Sequence, residues 1–174
     1  MNRWTVALHE AGHAVAGFAL TGMRVVATLH NDGGGAAWPR EELPPTDRAI
    51  MTAAGPIAES LAERHGPPEV EPSSGSQKSL SPQALPTLES VATPETAAAL
   101  SVDIARAVPD HVSLARWCIA GVEDQPERWA QRHAWITRLA TRLVGEHETQ
   151  IVEVARVLYL RGVVSVPLLQ RTAS

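Results

Sequence analysis

Between Asn2 and Leu20 the apolar residues Trp4, Leu8, Ala11, Val15, Phe18 and Ala19 recur at helical intervals, and Gly22 offers a stop. A helix here constrains the rest of the chain, because it carries His9-Glu10-Ala11-Gly12-His13, an H-E-x-x-H sequence, at its middle. Residues four apart share a helix face, so His9 and His13 point at one spot. Two imidazoles at that separation can grip one zinc ion, and a carboxylate at Glu10 can take a proton from water that the metal has acidified. With 7 His and 14 Glu in 174 residues, the pattern arises by chance in about two of a hundred such chains. Its helical surroundings set it apart from a surface turn with two unrelated histidines.

The remaining composition narrows the fold. A chain of 174 residues is most simply one domain, residues 1–174. Only 4% of residues are aromatic and alanine is abundant, which favours closely packed helices over an aromatic-rich sandwich. A formal charge of −4 and a single lysine, Lys78, give no basic patch for nucleic acid. The lone cysteine, Cys118, excludes an internal disulfide and a cysteine-rich zinc site. Set among Leu114, Trp117 and Ile119, it reads as a buried thiol. The motif helix starts almost at Met1 with no basic start and long apolar core, and no apolar stretch is long enough to span a bilayer. The expected location is the cytoplasm.

After the first helix, Arg24 to His30 is β-rich and short enough for a strand. Asn31 to Gly35 signals a turn, and Ala36-Ala37-Trp38 a returning strand ended by Pro39. This predicts a small hairpin or edge ribbon beside the motif helix. It either completes the core or binds an extended peptide through main-chain hydrogen bonds. Thr46 or Asp47 caps the next helix, with Ile50, Met51, Ala54, Ile57, Ala58 and Leu61, ending near His65-Gly66. Gly55-Pro56 should kink or split it. Glu59 and Glu63 follow one turn apart. Residues 66–92 are rich in Pro and Ser and predict a flexible loop or lid. A helix over Pro94–Val108 carries Asp103; Asp110 then caps a further helix reaching Gly121. Pro126 opens a long helix with Trp129, Trp135, Ile136, Leu139, Leu143 and Val144, and a last one holds Ile151 to Tyr159 before Gly162. Val163 to Leu169 adds a short turn. The expected architecture is mainly α with a minor β element.

Catalytic zinc usually takes three protein ligands, so the chain must supply one beyond His9 and His13. Thr21-Gly22-Met23 stands where a local third His would be needed, which argues against a metzincin. The candidates are Glu59, Glu63, Asp103, His30, His65, His111, His133 and His147. His65 and His147 read as surface groups, and His30, His111 and His133 as ordinary polar contacts. A buried Asp103 would need a partner, whereas an exposed one would pair with Arg106; periodicity leaves both open.

A resemblance bears on that choice. His9-Glu-Ala-Gly-His-Ala14 resembles the signature of the FtsH-type (M41) metallopeptidase domain. Ala54-Gly55-Pro56-Ile57-Ala58-Glu59 is similar to that family's Gly-Gly-Arg-Ala-Ala-Glu segment, and Val102-Asp103-Ile104-Ala105-Arg106-Ala107 to its Asn-Asp-Ile-x-x-Ala segment. Leu139 to Leu168 resembles its last helices. The resemblance implies Asp103 as third zinc ligand, a polypeptide substrate and a capacity for homo-oligomers; Glu59, after the Gly55-Pro56 break, is the expected neighbour of the site or alternative ligand. The chain departs from the family at Pro56, where the family has Arg, at the Asn31-Asp32-Gly33-Gly34 turn, and in its longer proline-rich insertion. It has no G-x-x-x-x-G-K-[ST] sequence, so no ATPase module is expected. The sequence therefore predicts an ATP-independent zinc peptidase acting on unfolded or flexible segments, docked along residues 24–30, with Glu10 as general base. The rivals are a non-proteolytic zinc-binding adaptor on the same fold and a hydrolase of small non-peptide amides.

Overall fold

A computed structural model describes residues 2–30, 33–37, 43–69 and 110–167. The expected helix Pro94–Val108 with Asp103, and most of the predicted loop 66–92, lie outside the described residues. The chain is mainly helical with a small antiparallel sheet. Helix α1 spans Arg3–Thr21. Its first turn is capped by Asn2, whose side chain accepts from the Thr5 amide at 2.8 Å. It ends where Gly22, at φ 68°, turns left-handed and its amide bonds back to Phe18.

Three strands follow the order β2-β1-β3, with β1 at Val25–His30, β2 at Gly33–Ala37 and β3 at Val163–Val166. Both pairings are antiparallel: Leu29 stands opposite Gly34, and Thr28 opposite Val163. Two expectations change here. The tail after Gly162 forms a strand, because the Gly162 carbonyl accepts from the Leu29 amide at 2.7 Å and lays Val163–Val166 along β1. Strand β1 is consequently the central strand. Both of its edges are used, so a peptide cannot dock along residues 24–30 by main-chain hydrogen bonds.

Helix α2 (Pro45–Ala58) runs through Pro56 without splitting and tightens into a 3₁₀ turn over Glu59–Glu63. The proline costs an intrahelical bond close to the C-terminal end, where few bonds remain to be broken. Helices α3 (Asp110–Ile119), α4 (Pro126–Glu146) and α5 (Glu148–Arg161) complete the described chain. The core holds Leu8, Val15, Val25, Met51, Leu61, Ile151, Leu158 and Val166. A second cluster of Ala49, Ile50, Ala53, Ile136 and Ala140 joins α2 to α4.

Small residues let α1 and α2 approach closely, as the composition suggested. A Cβ at Gly12 would stand 2.7 Å from the Ala58 Cβ and 2.8 Å from the Ala54 carbonyl oxygen. Cys118 is buried, as expected. Tyr159 packs edge-on against Trp4 at 5.9 Å between ring centres. No helix among the described residues is long and apolar enough to cross a membrane.

Candidate metal centre

The periodicity that predicts α1 also fixes the direction of its two histidines. The apolar face of α1 turns into the core, and His9 and His13 sit at the edge of that face, half-buried. Their rings meet edge-on with centres 4.6 Å apart. Helix α2 crosses behind them. His13 Nδ1 donates to the Met51 carbonyl oxygen at 2.7 Å, which leaves Nε2 of the neutral ring as the free acceptor. His9 Nδ1 donates to Glu59 Oε1 at 2.6 Å. Each ring is thus anchored through its outer nitrogen, and both Nε2 atoms face the same point.

A carboxylate completes the group. Asp110 Oδ2 lies 2.9 Å from His9 Nε2 and 3.0 Å from His13 Nε2, and the two Nε2 atoms are themselves 3.0 Å apart. Asp110 is the first residue of α3, where the helix dipole favours a negative charge. His9, His13 and Asp110 therefore form a three-ligand group that could hold a metal ion. It is the single group of its kind among the described residues.

The donor chemistry fits. Three atoms with lone pairs converge in a near-equilateral triangle, an arrangement that repels itself unless protons or a cation stand between them. Ligands of a tetrahedral ion bound at about 2.1 Å are about 3.4 Å apart, so the triangle needs to open by only a few tenths of an ångström. Hydrogen bonds from the outer ring nitrogens to a carboxylate and a carbonyl are the usual support of metal-bound histidines.

Without a cation the group holds protons instead. Burial opposes charging His9, but its hydrogen bonds with Asp110 and Glu59 and the nearby Glu10 charge outweigh that cost, raising its pKa to about 9. Burial would likewise raise the Asp110 pKa, yet the hydrogen bonds and charges of His13 and His9 hold the carboxyl well below its ordinary value. Glu10 differs. It is 7% exposed, and burial pushes its pKa up, with the charges of His13 and His9 pulling only partly against it.

Two glycines bring backbone against these side chains. A Cβ at Gly55 in α2 would overlap the His13 ring. A Cβ at Gly34 in β2 would meet Glu10 Cγ at 2.6 Å. Pro56 leaves this approach intact, since α2 stays helical through Gly55.

The expected site residues divide clearly. His9, Glu10 and His13 come together as the spacing requires. Glu59 reaches the outer nitrogen of His9 and not the convergent point, so its place is that of a neighbour. Asp103 lies outside the described residues. His65 pairs with Glu148 at 2.8 Å and His147 faces Gln150 at 3.2 Å. Glu63, His30, His111 and His133 are exposed. Asp110 is the residue that sequence reasoning read only as a helix cap. Its signal was present, a carboxylate after Pro109 at the head of an apolar-patterned helix, but a cap explains that signal equally well. The chain matches no family model and no curated protein in the comparisons made.

Proposed function

We propose that the chain is a zinc-dependent, ATP-independent peptidase that cleaves unfolded or flexible polypeptide segments, akin to the FtsH-type metallopeptidases its motifs resemble. The observation that carries this reading is the pairing of a converged His9-His13-Asp110 group with a buried carboxylate at Glu10. Two imidazoles and one carboxylate suit zinc. Zinc held there supplies Lewis acidity, polarising a scissile carbonyl and bringing the pKa of water towards about 7. Glu10 accepts the water proton on its carboxylate and delivers it to the departing amide nitrogen. The hydroxyl goes to the carbonyl carbon, the carbon–nitrogen bond breaks, and an acid and an amine result. The raised pKa of Glu10 suits a group that must both take and return a proton.

The sheet supports this substrate class. Among the described residues, strand β2 lies at one edge of the order β2-β1-β3 and packs on α1 beside Glu10. Gly33-Gly34-Gly35 carries no side chains of its own, which suits an extended chain added as a further strand. In this reading the substrate adds to residues 33–37, since both edges of β1 are already paired. A purely structural metal site has no use for a base at Glu10, which favours hydrolysis over the adaptor reading. The test is metal analysis of the purified protein together with cleavage of unfolded casein by wild type and Glu10→Gln. One zinc per chain with cleavage lost in Glu10→Gln supports a peptidase. Bound zinc with no cleavage of any unfolded protein or peptide library would favour the adaptor.

A further inference from the structure

We propose that Gly34 is a positioning residue for Glu10: the bare backbone of β2 closes on the Glu10 side chain and sets where its carboxylate stands. This inference rests on the reading of Glu10 as the group that moves the proton. A Cβ at Gly34 would lie 2.6 Å from Glu10 Cγ, 3.0 Å from its Cδ and 2.9 Å from the Thr28 carbonyl oxygen. Conformational freedom is not why glycine is needed, because Gly34 is not among the residues with positive φ. Proximity is. Neighbouring Gly35 points to the other face of the strand, where a Cβ would meet nothing within 4 Å. The close approach thus belongs to the strand face that looks onto α1.

Of the two groups in the way, only one can yield easily. Thr28 belongs to the central strand, is 1% exposed, and stands opposite both Gly35 and Val163. Its carbonyl is held by the sheet, whereas the Glu10 side chain can rotate. A methyl group at position 34 therefore displaces the Glu10 side chain, and β2 must also draw back from the Thr28 carbonyl oxygen. One strand serves two ends: its edge offers main chain to an extended substrate, and its inner face fixes the base.

The experiment uses the full chain and two readouts. The first is thermal unfolding of the metal-free protein in a four-way cycle of wild type, Gly34→Ala, Glu10→Ala and the double variant. The melting temperature lost on Gly34→Ala should shrink once Glu10 has no Cγ to collide with, leaving the part due to the Thr28 carbonyl. An equal loss in both backgrounds would overturn the contact. The second is steady-state cleavage of an unfolded casein-derived peptide, with Zn²⁺ affinity measured alongside. Gly34→Ala should lower kcat by about tenfold or more while KM and Zn²⁺ affinity change by less than about threefold. Gly145→Ala, a helical position with open space around it, should leave all three unchanged. A Gly34→Ala enzyme with wild-type kcat would overturn the positioning role. A wild type that cleaves nothing would remove the base reading itself, while the unfolding cycle would still decide whether Gly34 positions the side chain.

Discussion

The two sides of the site are built by different means. On the helical side, His9 and His13 are aimed by directional bonds: Glu59 and the Met51 carbonyl each hold one outer ring nitrogen at 2.6–2.7 Å. On the strand side, Glu10 is placed by close packing against Gly34 and by burial. A metal ligand must present one lone pair in one direction, and a hydrogen bond to the opposite ring nitrogen achieves that. In the proposed reading Glu10 accepts a proton and gives it back, and the close wall at Gly34 limits where its carboxylate can turn. The difference predicts separable defects: changes on the helical side weaken the metal, and changes on the strand side weaken turnover.

The strongest break in that comparison is Glu10→Gln. Cleavage of an unfolded substrate should fall by about 10²–10⁴-fold, the range for loss of a general acid–base group, while zinc content stays at wild-type level. Zinc lost together with activity would mean that Glu10 also shapes the ligand group. On the other side, Glu59→Ala frees His9 Nδ1. Zn²⁺ affinity, measured by competition with a chromophoric chelator, should drop by about 10–100-fold. Gly55→Ala forces the His13 ring or α2 to shift, so denaturant unfolding should report a loss of about 1–3 kcal/mol, with weaker Zn²⁺ binding beside it.

Proton linkage sharpens the comparison further. His9 is charged up to about pH 9, against 6.5 for an unperturbed imidazole. The groups facing it are Asp110, Glu59, Glu10 and His13. A pKa raised by folding gives stability that is fully present below about 6.5 and lost as pH rises through about 9. The metal-free protein should therefore lose up to roughly 3 kcal/mol across that window, less any change from its neighbours, with the drop flattened in His9→Ala. Zn²⁺ must displace the His9 proton, so its affinity should climb with pH until about 9, and calorimetry in buffers of different ionisation enthalpy should detect a released proton.

Much of this was legible in the sequence, for reasons that also explain the exceptions. The motif helix is an uninterrupted periodic segment with a glycine stop, so local pattern and tertiary packing agree, and His9, Glu10 and His13 followed directly. The mainly helical class and a hairpin next to α1 were legible too, although Gly33–Gly35, read as part of the turn, lie in strand β2. Strand β3 was not, because Val163–Val166 is four residues long and becomes a strand only once Gly162 turns it onto β1. Its pairing in turn makes β1 central, a long-range consequence that no local window contains. The convergence of Asp110 on His9 and His13 was hidden because a carboxylate at a helix start already has a sufficient local explanation, and contact with residues about a hundred positions earlier leaves no mark in spacing. Gly34 and Gly55 read as a turn and a kink; that each makes room for a side chain of α1 appears only when the elements are packed.

The claim on which the account turns is that Asp110 joins His9 and His13 as the third ligand. Zn²⁺ titration of wild type, Asp110→Ala and Asp103→Ala, with circular dichroism to verify that each variant is folded, addresses it directly. The account predicts one site per chain in the wild type, a loss of at least about 100-fold in affinity for Asp110→Ala, more than removing a supporting hydrogen bond costs, and near wild-type binding for Asp103→Ala. Full affinity in Asp110→Ala, with the loss falling on Asp103→Ala instead, would contradict it.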